Sequence, residues 1–87
     1  MNPTHGDIRT AVLRFLQTNL LFDETRQIPD AQSLLGAGIV DSTGILELIG
    51  FLEQTYDVKF RDDELVAENF DSLGAITSFM SAKLSGT

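Results

Sequence analysis

The sequence predicts an all-α fold, a small four-helix bundle of three main helices and one short one. Three observations carry that expectation. Three separate stretches repeat apolar residues at intervals of three and four, which marks one face of a helix. No segment alternates apolar and polar residues over the length of a strand, and Val58-Lys59-Phe60 is too short to count. The chain has 87 residues, 43% of them hydrophobic, enough for one folded core and no more than one domain. The expected domain spans residues 1–87, with its ordered core from about 7 to 84.

The first helix is expected from Asp7 to about Thr18. Ile8, Ala11, Val12, Phe15 and Leu16 fall on one face, and Asp7 is the expected N-cap. From Asn19 to Val40 no period is sustained, and Pro29, Gly36 and Gly38 punctuate the segment. Its scattered apolar residues, among them Leu20, Leu21, Phe22, Ile28, Leu34, Leu35 and Ile39, predict a long loop pinned onto the helices. Connections of this length inside a small domain are uncommon and tend to be functional.

The second helix reads from Ser42 to about Tyr56, with Ile45, Leu48, Ile49, Leu52 and Tyr56 along one face and Asp41 and Ser42 at its start. Gly44 and Gly50 each weaken it by about 1 kcal/mol relative to alanine and point to a close approach of something to the backbone. A short helical piece is expected within Asp62–Phe70. The last helix begins after Asp71 or Ser72 and carries Leu73, Ile76, Phe79, Met80 and Leu84, with Gly86 and Thr87 fraying.

Composition removes several function classes. The chain has no cysteine, so disulfides, thiolate metal sites and cysteine nucleophiles are excluded. Its single histidine, His5, lies near the N-terminus, which argues against a histidine triad or a zinc centre. No apolar run approaches the ~20 residues that span a membrane. The start, MNPTHGD, lacks the order of a secretory signal, so a soluble cytoplasmic domain is the expectation. An all-helical domain this small leaves little room for an enclosed active site, and no enzyme is expected.

The net charge of −7 is concentrated in one stretch. Residues 41–71 hold nine acids against Lys59 and Arg61, while the segments before and after nearly balance. Such a surface repels nucleic acid and anionic lipid and steers a basic protein partner. Where that stretch begins, Gly38-Ile39-Val40-Asp41-Ser42 places a serine at the first turn of a helix, at the exit of the long loop. Two readings meet there. Asp-Ser before an apolar helix is an ordinary capping signal. Alternatively, Ser42 is exposed for modification, and the helix N-terminus suits a phosphate ester attached to it.

Residues 7–84 resemble an acyl carrier protein, the small four-helix module that bears acyl groups as thioesters on a phosphopantetheine arm. The likeness rests on Ser33-Leu34 and Gly38-Ile39-Val40-Asp41-Ser42, with Glu47-Leu48 one turn on. It continues in Glu64 and in Glu68-Asn69-Phe70 before Ser72-Leu73. Fatty-acid carriers usually read Gly-x-Asp-Ser-Leu, whereas here two residues separate Gly38 from Asp41 and Thr43 replaces the leucine. The pattern is more similar to stand-alone specialised carriers, including those for amino acids such as D-alanine.

The resemblance implies 4′-phosphopantetheine, taken from coenzyme A, on Ser42, with Asp41 assisting recognition by a phosphopantetheinyl transferase. It implies that Glu47, Glu53 and Asp57 dock basic partner surfaces and that Leu46 helps line an acyl pocket. The implied partners are that transferase, an acyl- or aminoacyl-activating ligase and acyltransferases, met by a monomer. Two alternatives stay open at this point: an aminoacyl or peptidyl carrier, and an acidic helical adaptor without a cofactor.

Overall fold

The described residues, 3–86 of a computed structural model, form four helices and two short turns of other helical types joined by irregular segments, and no strand occurs among them. Helix α1 (His5–Phe15) starts earlier than its apolar face requires, because its cap is Thr4 and not Asp7. The Thr4 hydroxyl accepts the Asp7 N–H at 3.0 Å, and the Asp7 carboxylate accepts the Thr4 N–H at 3.1 Å. This reciprocal pair satisfies two donors that a helix start otherwise leaves unpaired, so Asp7 belongs to the first turn. Ile8, Val12 and Leu16 are fully buried, and Phe15 stacks on Phe51 with ring centroids 4.4 Å apart.

Beyond α1 the chain widens into a π-helical turn, Leu16–Leu20, in which the Leu21 N–H donates to the Leu16 carbonyl at 2.9 Å. Helix α2 (Ser42–Tyr56) has the predicted bounds, with Leu48 and Leu52 fully buried. Close approach to its backbone occurs at Gly44, where an added Cβ would lie 3.4 Å from side-chain atoms of both Leu20 and Val40. Gly50 has open space around it, so the same expectation fails there. The expected short helix is two pieces: a 3-10 turn, Asp62–Glu64, and helix α3 (Ala67–Phe70).

Helix α4 (Leu73–Leu84) is capped by Ser72, whose hydroxyl accepts the Ala75 N–H at 3.1 Å. Both α1 and α3 lie closest to α4, which buries Leu73, Ile76 and Met80 against them. Thr77, the buried polar residue of this core, donates its hydroxyl to the Leu73 carbonyl at 2.7 Å. Phe60, Phe70 and Phe79 form an aromatic cluster at one edge. The radius of gyration, 12.0 Å, matches the ~12 Å expected of a compact chain of this length. Gly86, expected to fray, closes a last turn by donating to the Lys83 carbonyl at 3.3 Å, and Thr87 lies outside the described residues.

The long connection from Leu21 to Asp41 is ordered by hydrogen bonds to distant residues. Near its middle, Arg9 pairs with Asp30 at 2.7 Å, and the Asp30 carbonyl accepts the Gly74 N–H at 2.9 Å. Further on, Asp71 acts as a clamp. Its carboxylate accepts the Ser33 hydroxyl at 2.5 Å and the Leu35 N–H at 2.8 Å, while its backbone carbonyl accepts the Leu34 N–H at 2.7 Å. Leu34 between them is fully buried, and its carbonyl accepts the N–H groups of Ile39 and Val40. Ile28, Ile39 and Val40 are buried as the sequence suggests, but Phe22 is 83% exposed and Leu35 is also exposed.

The Ser33 hydroxyl, and then the Leu35 N–H, hold the Asp71 carboxyl below the usual carboxylate range. A group whose pKa is lowered by folding stabilises the fold above its unfolded value, near 4, and loses that contribution as pH falls through the folded value. Asp71→Asn is therefore expected to lower stability by about 1–2 kcal/mol at neutral pH. It should also flatten the acid limb of a plot of melting temperature against pH. An acid limb as steep as that of the native chain would refute the clamp.

Candidate functional site

The clamp delivers the loop exit to the start of α2. Gly38 takes a positive φ of 71°, a conformation glycine adopts without a steric cost, and its N–H donates to the Leu35 carbonyl at 3.1 Å. After that turn Ile39 and Val40 drop into the core, and Asp41 stands at the helix entrance in extended backbone. The Asp41 carboxylate accepts the Gly44 N–H at 2.8 Å, and the Asp41 carbonyl accepts the Ile45 N–H at 3.1 Å.

Asp41, then, is the cap, and the two sequence readings of Ser42 separate. Ser42 is the first residue of α2, it is exposed, and its hydroxyl has no hydrogen-bond partner among the described residues. A side chain that were the cap would have its oxygen taken up by a backbone N–H of the first turn. Here Asp41 fills that role, and the serine oxygen faces solvent at the positive end of the helix.

Two hollows meet at Ser42. One, of about 830 Å³, is bounded by Asn19, Leu20 and Phe22 on one side and by Asp41, Thr43 and Glu47 on the other. The second, of about 330 Å³, lies between α2 and α3 and is walled by Ile45, Leu46, Ile49, Leu65, Val66 and Phe70. Leu35 and Ser42 border both. The second hollow is almost wholly apolar; its edge holds Asp71, whose carboxylate is committed to Ser33 and Leu35. No lysine or arginine lines either one.

The remaining sequence candidates divide. Leu46 is 68% exposed on the rim of the apolar hollow. Glu47 is exposed and borders the larger hollow. Glu53 is half-buried, and its carboxylate accepts the Phe60 N–H at 3.2 Å, tying α2 to the segment that follows it. Six residues separate Glu47 from Glu53, a rotation of roughly 120° around the helix, so the two present different faces. Asp57 is exposed and ends α2 in the left-handed conformation, its φ being 54°.

Sequence reading singled out neither the exposure of Phe22, Leu35, Leu65 and Val66 around the site nor the pairing of Ser33 with Asp71. Leu65 and Val66 carried one signal, two adjacent apolar residues between short turns where no helical face needed them. Phe22 carried none. Among the described residues no helix is long and apolar enough to cross a membrane. No protein-family model matches the chain, and comparison with curated proteins finds no match.

If Asp41 alone caps α2, removing the two side chains has unequal effects on folding. Asp41→Ala is expected to cost about 1 kcal/mol, and Ser42→Ala to stay within about 0.5 kcal/mol of the native chain. Denaturant titration of both variants checks this, and a larger loss for Ser42→Ala would return the serine to a capping role.

Proposed function

We propose that the protein is a carrier module that takes 4′-phosphopantetheine on Ser42 and presents acyl groups to partner enzymes. The single observation that supports this reading is the Ser42 hydroxyl: exposed at a helix N-terminus, without a partner among the described residues, and relieved of capping by Asp41. The residues fit the group. The Ser42 and Thr43 N–H groups, in the first turn of α2, have no partner among the described residues, and free donors at a helix start suit a phosphodiester. The larger hollow beside them gives an extended chain somewhere to lie.

Attachment places the reacting oxygen on this chain and the catalysis on another protein. The Ser42 oxygen attacks the phosphorus of coenzyme A that bears pantetheine. Its proton passes to a base of the transferase, and 3′,5′-adenosine bisphosphate leaves. When bound, the arm supplies a terminal thiol for thioester chemistry, which a chain without cysteine otherwise lacks. Asp41 holds the first turn of α2 rigid beneath the modified oxygen, and its second carboxylate oxygen stays available to a cation carried by the transferase. The apolar hollow between α2 and α3, with Leu46 on its rim, favours an apolar acyl chain over a charged aminoacyl cargo.

Intact mass before and after incubation with coenzyme A, magnesium and a broad-specificity phosphopantetheinyl transferase tests the proposal. Addition of one phosphopantetheine to the native chain and none to Ser42→Ala is the expected result. A native chain that arrives unmodified and stays so would favour a helical adaptor.

Glu47 is exposed and borders the same hollow as Ser42, so it is free to meet a basic partner. Glu47→Lys should slow modification several-fold at low salt, with the difference shrinking as salt rises. An unchanged rate at low salt would remove Glu47 from the docking face.

A further inference from the structure

Among the described residues five large apolar side chains are exposed: Phe22, Leu35, Leu46, Leu65 and Val66. All five border the two hollows that meet at Ser42. They come from three parts of the chain, namely the turn after α1, the clamped loop with the α2 start, and the segment before α3. Nothing in the sequence period relates them; the fold gathers them around one hydroxyl.

Phe22 is the extreme case. It is 83% exposed and holds a φ of 52°, the left-handed region that an aromatic residue rarely adopts. Its neighbours keep it there. The Leu21 N–H donates to Leu16 and the Asp23 N–H to Gln17, both at 2.9 Å. The Asp23 carboxylate takes the Thr25 N–H and hydroxyl, and the Gln17 side chain donates to the Arg26 carbonyl at 2.8 Å. Hydrogen bonds on both sides thus hold this backbone in the left-handed region, with the ring exposed at a hollow that Ser42 also borders.

We infer that these five residues form the docking surface for the enzymes that act on Ser42, with Phe22 as its anchor. The occupant is a protein that presents an apolar socket to Phe22, with a basic side chain beside it to meet Asp41 and Glu47. Charge decides between this partner and a second copy of the chain. The rim of the surface is acidic and carries no cation, so two copies would bring like charges together around the apolar centre. Buried aromatic anchors commonly dominate such interfaces, and peripheral charges set the encounter rate.

This inference rests on the carrier reading, and one experiment separates the two. Initial rates of phosphopantetheine addition, followed by intact mass against protein concentration, are compared for native, Phe22→Gly and Leu65→Ser chains with the broad-specificity transferase. Glycine accepts the positive φ, so Phe22→Gly should melt at or above the native temperature. Its kcat/KM should fall about tenfold or more, through KM. The ratio of native to variant should persist at about 0.5 M salt, because the lost contact is apolar.

Leu65→Ser, on the opposite side of Ser42, should show the same pattern more weakly, and it decides the matter if Phe22→Gly does not fold. Equal rates for native and variant chains would overturn the docking surface and leave the carrier intact. A fall in kcat alone would also overturn it, by making Phe22 a positioning residue for the serine. A native chain that is never modified would overturn the carrier reading and this inference together.

Discussion

One carboxylate joins segments that are 38 residues apart, and the site depends on it. Asp71 sits between α3 and α4, yet its hydrogen bonds end on Ser33, Leu34 and Leu35 of the long connection. The clamp fixes the backbone on both sides of Leu34, whose side chain is fully buried. The Leu34 carbonyl then gathers Ile39 and Val40, and Val40 leads directly into Asp41. The position of the Ser42 hydroxyl is therefore set from the far end of the chain. A loop of this length carries a large conformational entropy when free, and non-local hydrogen bonds plus buried apolar residues offset it here.

The helices were legible in the sequence because burial repeats with the helical period. Helix α2 has the bounds that Ile45, Leu48, Ile49 and Leu52 imply, and α4 those implied by Leu73, Ile76 and Met80. Periodicity locates a buried face but not a cap: the apolar stripe of α1 begins at Ile8, while the Thr4-Asp7 pair starts the helix at His5. It is also blind to turns held by distant partners. Ser33 and Asp71 look like ordinary polar residues until the fold brings them together. Glu53 looks like one more surface acid, although its carboxylate is occupied by the Phe60 N–H.

The local geometry of the candidate site was only partly legible. An aspartate followed by a serine before an apolar helix is first of all a capping signal, and geometry assigns the cap to Asp41. Scattered apolar residues in a loop suggest burial, since most such residues are buried. Ile28, Leu34, Ile39 and Val40 obey that expectation and Phe22 does not. Several residues of the carrier-like pattern act as scaffold. Glu64 accepts Lys83 at 3.0 Å, while the Asn69 amide donates to the Glu64 carbonyl at 2.8 Å and Phe70 fills the aromatic edge.

The π-helical turn at Leu16–Leu20 has a consequence for phase. A π turn holds one more residue than an α turn, so every residue after it is advanced by about 100° relative to the helix before. Leu16 closes the buried stripe of α1, and the extra residue falls between it and Phe22. With an ordinary α turn in its place, the pair Leu21-Phe22 would enter the following bend with its two side chains rotated around the axis. One inserted residue thus acts as a phase shifter between the buried stripe that Leu16 closes and the exposed ring of Phe22.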